Sequence, residues 1–131
     1  MSMDTIAQFL TSIRNAGSAR LEKLDTPASN MRIGIAKILQ DEGYIKTFKV
    51  ARDSKQGIMR IYLKYDDLGA HVIKNIQRVS TPGRRIYSAH IDIPSVRSGY
   101  GFSVLSTNKG IVSSKQAKAL KIGGEILCQV W

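Results

Sequence analysis

The stretch FSVLSTNKGIVSSKQAKALKIGGEILCQVW, residues 102–131, decides the fold of the second half of this chain. Its first residues, 102–105, form an apolar, strand-like run that leads into a tight polar loop at residues 106–110. Residues 113–116, Ser-Ser-Lys-Gln, form a capping box, which predicts a short helix. The glycine pair at 123–124 then leads into a closing apolar strand. This part of the chain is therefore expected to be mostly β-structure with one short helix.

Two helices are predicted near the start of the chain. The first has either Asp4 or Thr5 as its N-cap and Gly17 just past its end, and its apolar face consists of Ile6, Phe9, Leu10 and Ile13. The second has Ser29 or Asn30 as its N-cap and ends at Gly43, and its apolar face consists of Met31, Ile35, Ile38 and Leu39.

Strands are predicted around and after these helices. Residues 23–26 read as a short strand before Pro27, and residues 44–50 and 58–65 are rich in β-branched and aromatic side chains. Residues 54–57, Ser-Lys-Gln-Gly, separate the last two runs, which indicates a hairpin connection.

The second half begins at the segment Asp66-Asp67-Leu68-Gly69, where the charge balance changes. A strand is predicted within residues 71–80, a turn at residues 81–83 (Thr-Pro-Gly), and a return strand at residues 84–88. The predicted fold class is α+β with two small lobes. The N-terminal lobe, residues 1–67, is helix-strand-helix-hairpin, and the C-terminal lobe, residues 68–131, is mostly β. Lobes of this size bury only about 60% of their unfolded surface, so we expect them to share an interface.

The charge is distributed unevenly over these two lobes. The chain has 131 residues and a formal net charge of +10. Residues 1–67 contain eleven Lys and Arg against eight Asp and Glu, which leaves +3. Residues 68–131 contain nine against two, which leaves +7. A basic half with so few carboxylates predicts a polyanionic partner such as a nucleic acid, and no helix combines a basic face with a strongly apolar face as a membrane-surface helix would.

The cysteine and histidine content argues against a disulfide or a metal site. The single cysteine, Cys128, cannot form an intrachain disulfide and is expected to be a buried, inert thiol in a reducing compartment. Two histidines and one cysteine, far apart in sequence, do not suggest zinc. No signal peptide and no apolar run long enough to span a bilayer are recognised. We therefore expect a cytoplasmic protein without a cofactor and without membrane association.

The polar loop Ser106-Thr107-Asn108-Lys109-Gly110 is the first candidate binding site. Its hydroxyls and its amide both donate and accept hydrogen bonds, so they can reach the edge of an unpaired base, while Lys109 neutralises a phosphate. Gly110 allows the backbone to approach a ligand closely. The alternative is that these residues are ordinary turn formers.

Two further groups of residues complete the candidate surface. Glu125, which follows Gly124, is one of only two acidic residues in the basic half. It accepts from a base edge or orients an arginine, or else it forms an ordinary ion pair. Arg84 and Arg85 provide guanidinium groups for phosphate, and Tyr87 stacks on a base or contacts the sugar-phosphate chain, with core packing as its alternative.

A weaker candidate lies on the first helix. Thr5 is at its start, where free backbone N–H groups bind phosphate, and Arg14 and Asn15 are at its end. The alternative for Thr5 is that it simply caps the helix.

The motifs Pro-Gly-Arg-Arg-Ile-Tyr (82–87), Ser-Thr-Asn-Lys-Gly (106–110) and Gly-Gly-Glu (123–125) resemble the signature of the bacterial S-eight family of small-subunit ribosomal proteins. The resemblance extends over essentially the whole chain. It implies a structural ribosomal protein that binds the central domain of small-subunit ribosomal RNA, mainly through residues 68–131, with a secondary RNA contact in residues 1–67. It also implies neighbouring small-subunit ribosomal proteins as partners and, in some bacteria, repression of its own operon messenger RNA through a mimic of the ribosomal site.

Two other classes of function fit this sequence less well. A small enzyme would need a convergent set of acid, base or nucleophile, and the second half offers only Asp92 and Glu125 as acids. A non-specific nucleic-acid architectural protein predicts basic residues without a close-contact polar loop, which the segment at residues 106–110 argues against.

Overall fold

The computed structural model describes residues 5–52 and 57–131. The helices and strands are, in chain order, α1 (Thr5–Ser18), β1 (Lys23–Pro27), α2 (Asn30–Asp41), β2 (Ile45–Ala51), β3 (Ile58–Leu63), β4 (Ile76–Arg78), β5 (Tyr87–Ser88), β6 (Phe102–Thr107), β7 (Gly110–Ser113), α3 (Ser114–Leu120) and β8 (Gly124–Val130). The strands pair antiparallel throughout the described ladders. The predicted α+β class is confirmed.

The predicted end of α1 is wrong by two residues. Its four predicted apolar residues are buried, but Gly17 lies inside the last turn and not beyond it. The reason is tertiary packing. The imidazole of His71 lies against this turn, and a Cβ at Gly17 would fall 1.9 Å from its Nδ1. Glycine at this position therefore permits close packing and does not terminate the helix. Asp4, the other predicted N-cap, lies outside the described residues.

The second helix begins and ends where the sequence predicts. The hydroxyl of Ser29 accepts a hydrogen bond from the backbone N–H of Arg32 at 3.2 Å, and Gly43 has a φ of +80° just beyond the helix. The side chain of Arg32 is buried and donates to Thr26, to the carbonyl of Pro27 and to the carbonyl of Thr5. Burial lowers the pKa of this guanidinium from its ordinary value. Arg32 therefore joins α2 to β1 and α1.

The first sheet has the strand order β1-β3-β2. The predicted short strand before Pro27 is present as β1, and the predicted hairpin is present as β2 and β3. Of the predicted connection, residues 54–56 lie outside the described residues. Gly57 has a φ of +91°, and a Cβ there would lie 2.9 Å from the carbonyl oxygen of Ala51. A glycine is thus required where the chain enters β3.

The second sheet contradicts the predicted hairpin of residues 71–88. Only Ile76–Arg78 form a strand in the first part, and the return strand is reduced to Tyr87–Ser88. These two strands do not pair with each other along their length. Both pair with β8, in the order β4-β8-β6-β7 with β5 also on β8. The seven-residue β8 pairs with β4 through residues 128–130 and with β5 through residues 124–125. One long strand therefore pairs with two short ones along the same edge.

Most of the apolar side chains form a single core cluster to which both halves of the chain contribute. Its members include Phe9 and Leu39 from the first half and Val104 and Val130 from the second. A smaller cluster lies on the other face of the second sheet, where α3 covers it. The expected contact between the halves is therefore part of the main core. None of the helices in the described residues is long and apolar enough to cross a bilayer.

Candidate nucleic-acid interface

The polar loop is a tight hairpin turn between β6 and β7. Thr107 pairs with Gly110, and Asn108 and Lys109 form the turn between them. The turn requires a left-handed residue after it, and Gly110 supplies this with a φ of +98°. Asn108, Lys109 and Gly110 are all exposed. The tip of the hairpin therefore presents an amide, an ammonium group and an uncovered stretch of backbone to solvent.

The hydroxyl of Thr107 is used inside this turn. It donates to the carbonyl oxygen of Gly110 at 2.9 Å and accepts from the N–H of Lys109 at 3.1 Å. The turn-forming alternative therefore describes Thr107 better than direct recognition of a base does. One lone pair of the hydroxyl is left after these two bonds. The side chain of Thr107 fixes the position of Asn108 and Lys109 relative to the sheet.

Gly124 lets β8 approach β6 closely. A Cβ at this position would lie 2.2 Å from the carbonyl oxygen of Ser106 and 2.9 Å from Cγ2 of Thr107. Any other residue would push the two strands apart at the base of the hairpin. The neighbouring Gly123 is also needed for a close approach, here to the end of β5. An added Cβ at Gly123 would lie 2.4 Å from the carbonyl oxygen of Ser88.

Glu125 is the centre of a polar cluster. Its Oε2 accepts hydrogen bonds from Ser80 Oγ and from Nη1 of Arg85, the latter at 3.0 Å. The hydroxyl of Ser80 in turn accepts from the N–H of Ile86 at 3.1 Å. Burial alone would raise the pKa of Glu125, but the hydrogen bonds from Ser80 and Arg85 hold its pKa below the usual value. The ion-pair alternative for Glu125 is thus present, with Arg85 as the partner, and the carboxylate orients this arginine.

Strand register places three motifs that are remote in sequence side by side. Tyr87 pairs with Glu125, and Glu125 pairs with Ser106, so the three residues form one row across β5, β8 and β6. Neighbouring strands are about 4.8 Å apart and directly paired residues point to the same face. Tyr87 is 69% exposed, so the core-packing alternative for it is wrong. We call this row, with Arg84, Arg85 and the tip Asn108–Gly110, the Glu125 surface.

The two arginines before Tyr87 lie where the chain emerges from a tight turn. Thr81 and Arg84 exchange backbone hydrogen bonds of 3.0 and 3.1 Å, which confirms the turn predicted at residues 81–83. Arg84 and Arg85 are both exposed, while Ile86 packs against the smaller core cluster. The backbone alternates after the turn, so an inward Ile86 leaves Arg85 and Tyr87 on the outer side. Arg84 closes the turn with Thr81 and is exposed beside them.

The candidate residues of the first half do not form one site. Thr5 is the first residue of α1, and Arg14 and Asn15 lie near its end, about 15 Å away at 1.5 Å per residue. The carbonyl of Thr5 accepts from Arg32, and the guanidinium of Arg14 donates to the carbonyl of Ile76. Asn15 is exposed. Arg14 is therefore held at the start of β4, while Thr5 lies at the opposite end of the helix.

Sequence reasoning missed Ser80 and Arg78. Ser80 is completely buried and holds Glu125 from 45 positions away. Arg78 Nη1 donates to the carbonyl of Leu127 at 2.8 Å. Both residues lie beside β8 because β4 and the residues after it pair with that strand. No local sequence pattern predicts this pairing. The nearest signal is the period-two spacing of Arg78 and Ser80, which places them on the same side of an extended segment.

The expectations for Cys128 and for metals can also be compared with the structure. Cys128 is fully buried, and burial raises the pKa of its thiol to about 12. The predicted burial of this thiol is confirmed, and its raised pKa disfavours the reactive thiolate form. Within residues 5–52 and 57–131, no group of three or more His, Cys, Asp or Glu side chains is arranged to hold a metal ion.

Comparison with known proteins gives a consistent result over the whole chain. The family model described as Ribosomal protein S8 matches residues 4–131. A protein of Bdellovibrio bacteriovorus named small ribosomal subunit protein uS8 is 64% identical over 129 residues, which cover 98% of this chain and 100% of that protein. Proteins with the same name from Geotalea daltonii and Streptococcus agalactiae are 52% and 48% identical, with 100% and 98% of this chain covered and 100% and 97% of theirs.

Proposed function

Because the chain belongs to the ribosomal protein S8 family, we propose that it binds small-subunit ribosomal RNA directly through the Glu125 surface. Membership makes it a structural constituent of the small ribosomal subunit, located in the ribosome in the cytoplasm, and not an enzyme. Its partners are ribosomal RNA and other ribosomal proteins of that subunit. The surface that contacts the RNA, the residues that make the contacts and the part of the RNA that is bound are our proposals.

The observation that carries the proposal is the convergence of three polar motifs on one row of paired residues. Tyr87, Glu125 and Ser106 adjoin one another on paired strands, although they are up to 38 positions apart in sequence. Lys115 and Lys118 on α3 are exposed and add positive charge to the same half of the chain. A row with an aromatic ring, small polar groups and flanking cations suits an RNA site with both phosphate and base contacts.

Each residue of the surface has a role in the proposal. Arg84, Arg85 and Lys109 contact phosphates, and Glu125 keeps Arg85 in a fixed orientation. Tyr87 stacks on an unpaired base or donates its hydroxyl to the sugar-phosphate chain. Ser106 and Asn108 bond to base edges or 2′-hydroxyls. Thr107, Gly110 and Gly124 fix the hairpin and allow the RNA to approach the backbone.

We propose the central domain of the ribosomal RNA as the target of residues 68–131. Residues 1–67 make the secondary contact, with Thr5, Arg14 and Asn15 as its candidates. Since Thr5 lies at the other end of α1 from Arg14 and Asn15, two separate contacts are expected in that half. We also propose that a messenger RNA with the same local structure occupies the Glu125 surface. Competition between messenger and ribosomal fragments for one site on the full-length protein tests this part.

Affinity for a central-domain fragment, compared with a random duplex at fixed salt, tests the surface. Tyr87→Ala should weaken cognate binding by about ten- to a hundred-fold, because stacking of a base is worth about 1–3 kcal/mol. Tyr100→Ala is the matched control, since Tyr100 is 86% exposed beside the other end of β6. Equal effects of the two substitutions would contradict the proposal.

The salt dependence of the same binding tests the electrostatic part. If roughly five to eight phosphates are neutralised, the logarithm of the affinity should fall with the logarithm of salt concentration at a slope of about −4 to −7. A slope shallower than about −2 would mean that the basic half is not the binding surface.

A further inference from the structure

A second basic feature lies outside the Glu125 surface. A cavity of about 320 Å³ opens between the end of α1 and the segment that leads into β4. Arg14, Arg20, Lys74 and His71 line it, together with small and apolar residues. No carboxylate is among its lining residues, all of which belong to the described part of the chain. Three permanent cations thus share one small concave site without an acidic lining residue.

The backbone around the cavity is held in conformations that bring these cations together. Arg20 has a φ of +57°, a left-handed conformation that is uncommon for a residue with a side chain. Its N–H donates to the carbonyl of Gly17, and the N–H of Leu21 donates to that of Ala16, so the end of α1 is closed. Gly69, with a φ of +82°, borders the Arg20 guanidinium, because a Cβ there would lie 3.9 Å from Nη1.

His71 lines the same cavity and carries an unsatisfied polar atom. Its ring packs on Gly17 and lies 5.5 Å from the ring of Tyr65. Its Nε2 is buried and has no hydrogen-bond partner among the described residues. Buried polar atoms are rarely left unpaired, so the imidazole of His71 is a sensitive reporter of an anion that enters the cavity beside it.

The negative charges near the cavity do not neutralise its three cations. Asp66 approaches Lys74 only to 3.8 Å, and both side chains are largely exposed, so this pair contributes little. The carboxyl end of α1 carries roughly half a negative charge, and its carbonyls already accept from the amides that follow the helix. The bond from Arg14 to the carbonyl of Ile76 uses one of its five N–H donors. The cavity therefore keeps an excess of positive charge.

We propose that this cavity binds one phosphate group, with Arg20, Lys74 and Arg14 as the donors and His71 beside them. Two sources supply such a group, a phosphate of an RNA backbone and a free phosphate ion. The site adjoins β4, whose Ile76 pairs with Val130, five residues along β8 from Glu125. At about 3.4 Å per residue this is about 17 Å from the Glu125 surface. Occupation of the cavity by an RNA phosphate rests on the proposed function, whereas the binding of a phosphate group as such does not.

Titration of the full-length protein with inorganic phosphate, followed through the imidazole nitrogen resonances of His71 by NMR, tests the site without RNA. The wild type should show a saturable change that sodium chloride at equal ionic strength does not produce. Arg20→Asn keeps a residue that tolerates the left-handed conformation, and Lys74→Gln removes the ammonium group. Each should weaken the response several-fold. Lys46→Gln, an equal charge change at an exposed position of β2, should leave it unchanged.

The same variants distinguish the two sources of phosphate. If a backbone phosphate occupies the cavity, Arg20→Asn and Lys74→Gln should each make the salt slope of RNA binding less steep by up to about 1, and Lys46→Gln should not. An unchanged slope with an intact response to inorganic phosphate supports the site and assigns it to a free phosphate ion. The proposal is overturned if chloride reproduces the response, or if all three variants respond as the wild type does.

Discussion

At the scale of single residues, the sequence identifies which side chains matter better than it identifies what they do. Ser106–Gly110 and Glu125 are prominent in sequence because small polar residues and one of only two acids stand out in a basic half. Their contacts depend on partners that a local pattern does not report. Thr107 bonds within its own turn, and Glu125 bonds to Ser80 and Arg85 at 45 and 40 positions away.

Thr107→Val should loosen the hairpin and so weaken selective binding. The substitution removes the donor to Gly110 and the acceptor for Lys109, so Asn108 and Lys109 lose their fixed position. We expect a loss of about 1–2 kcal/mol in cognate binding, or about five- to thirty-fold in affinity. Binding of the cognate fragment and of a random duplex is the measurement. Thr107→Ser keeps the hydroxyl and should bind nearly as the wild type does. An equal loss for both RNAs would show that the turn does not control selectivity.

Glu125→Gln should remove a stabilising contribution that depends on pH. The folded-state pKa of Glu125 is below the ordinary value of 4.5, so its ionised form favours the folded state. This contribution is fully present above the unfolded-state pKa and is lost as the pH falls through the folded-state pKa. Urea unfolding should therefore find the wild type more stable than Glu125→Gln at pH 7, with the difference shrinking below about pH 4.5. A difference that is independent of pH would contradict this assignment.

At the scale of elements, local motifs predict the N-caps of α2 and α3 correctly, whereas pairings between distant strands are not predicted. The caps at Ser29 and at Ser113 with Gln116 were predicted because each motif lies within a few residues of the group it satisfies. The partner of β4 and β5 is not predicted because the paired residues of β8 lie 36 to 54 positions away. Register across such distances is set by packing on both faces of the sheet, which the sequence pattern of a two- or three-residue strand does not encode.

Gly124→Ala should destabilise the protein by about 1–3 kcal/mol, as overpacking of a close contact does. The added Cβ would meet the backbone of Ser106, which cannot rotate away as a side chain would. The free energy of unfolding in urea is the measurement. Gly83→Ala is the matched control, because nothing lies within 4 Å of its added Cβ and it should be nearly neutral. Similar values for the two variants would mean that β8 and β6 separate without cost.

At the scale of the whole molecule, composition predicts two unequal halves and the structure joins them. The charge difference between residues 1–67 and 68–131 is real, with +3 and +7. The main core nevertheless takes buried residues from both, including Ile13, Met59, Phe102 and Leu127. A sequence pattern marks where charge changes along the chain, but it does not report which apolar faces meet.

The chain should therefore unfold in one cooperative transition. Fluorescence of Trp131 reports on the second half, and far-ultraviolet circular dichroism is dominated by α1 and α2 in the first. The two signals should give the same urea midpoint, because neither half keeps its core without the other. Midpoints that differ clearly would show that the halves are independent folding units. Met59→Ala opens a cavity in the shared core. In this variant the fluorescence midpoint and the circular-dichroism midpoint should both move to lower urea concentration by the same amount.

The position of β8 has a consequence for the time course of protein synthesis. It lies in the middle of its sheet, yet it follows β4, β5, β6 and β7 in the chain, and it carries Glu125. Chains are made from the amino end, so these four strands are translated before the strand that joins three of them exists. Until then the core lacks Leu127, Cys128 and Val130, and Arg85 lacks its carboxylate partner. A nascent chain that has not reached β8 is thus unable to assemble the Glu125 surface, so the RNA contact proposed for this surface has to wait for the last strand.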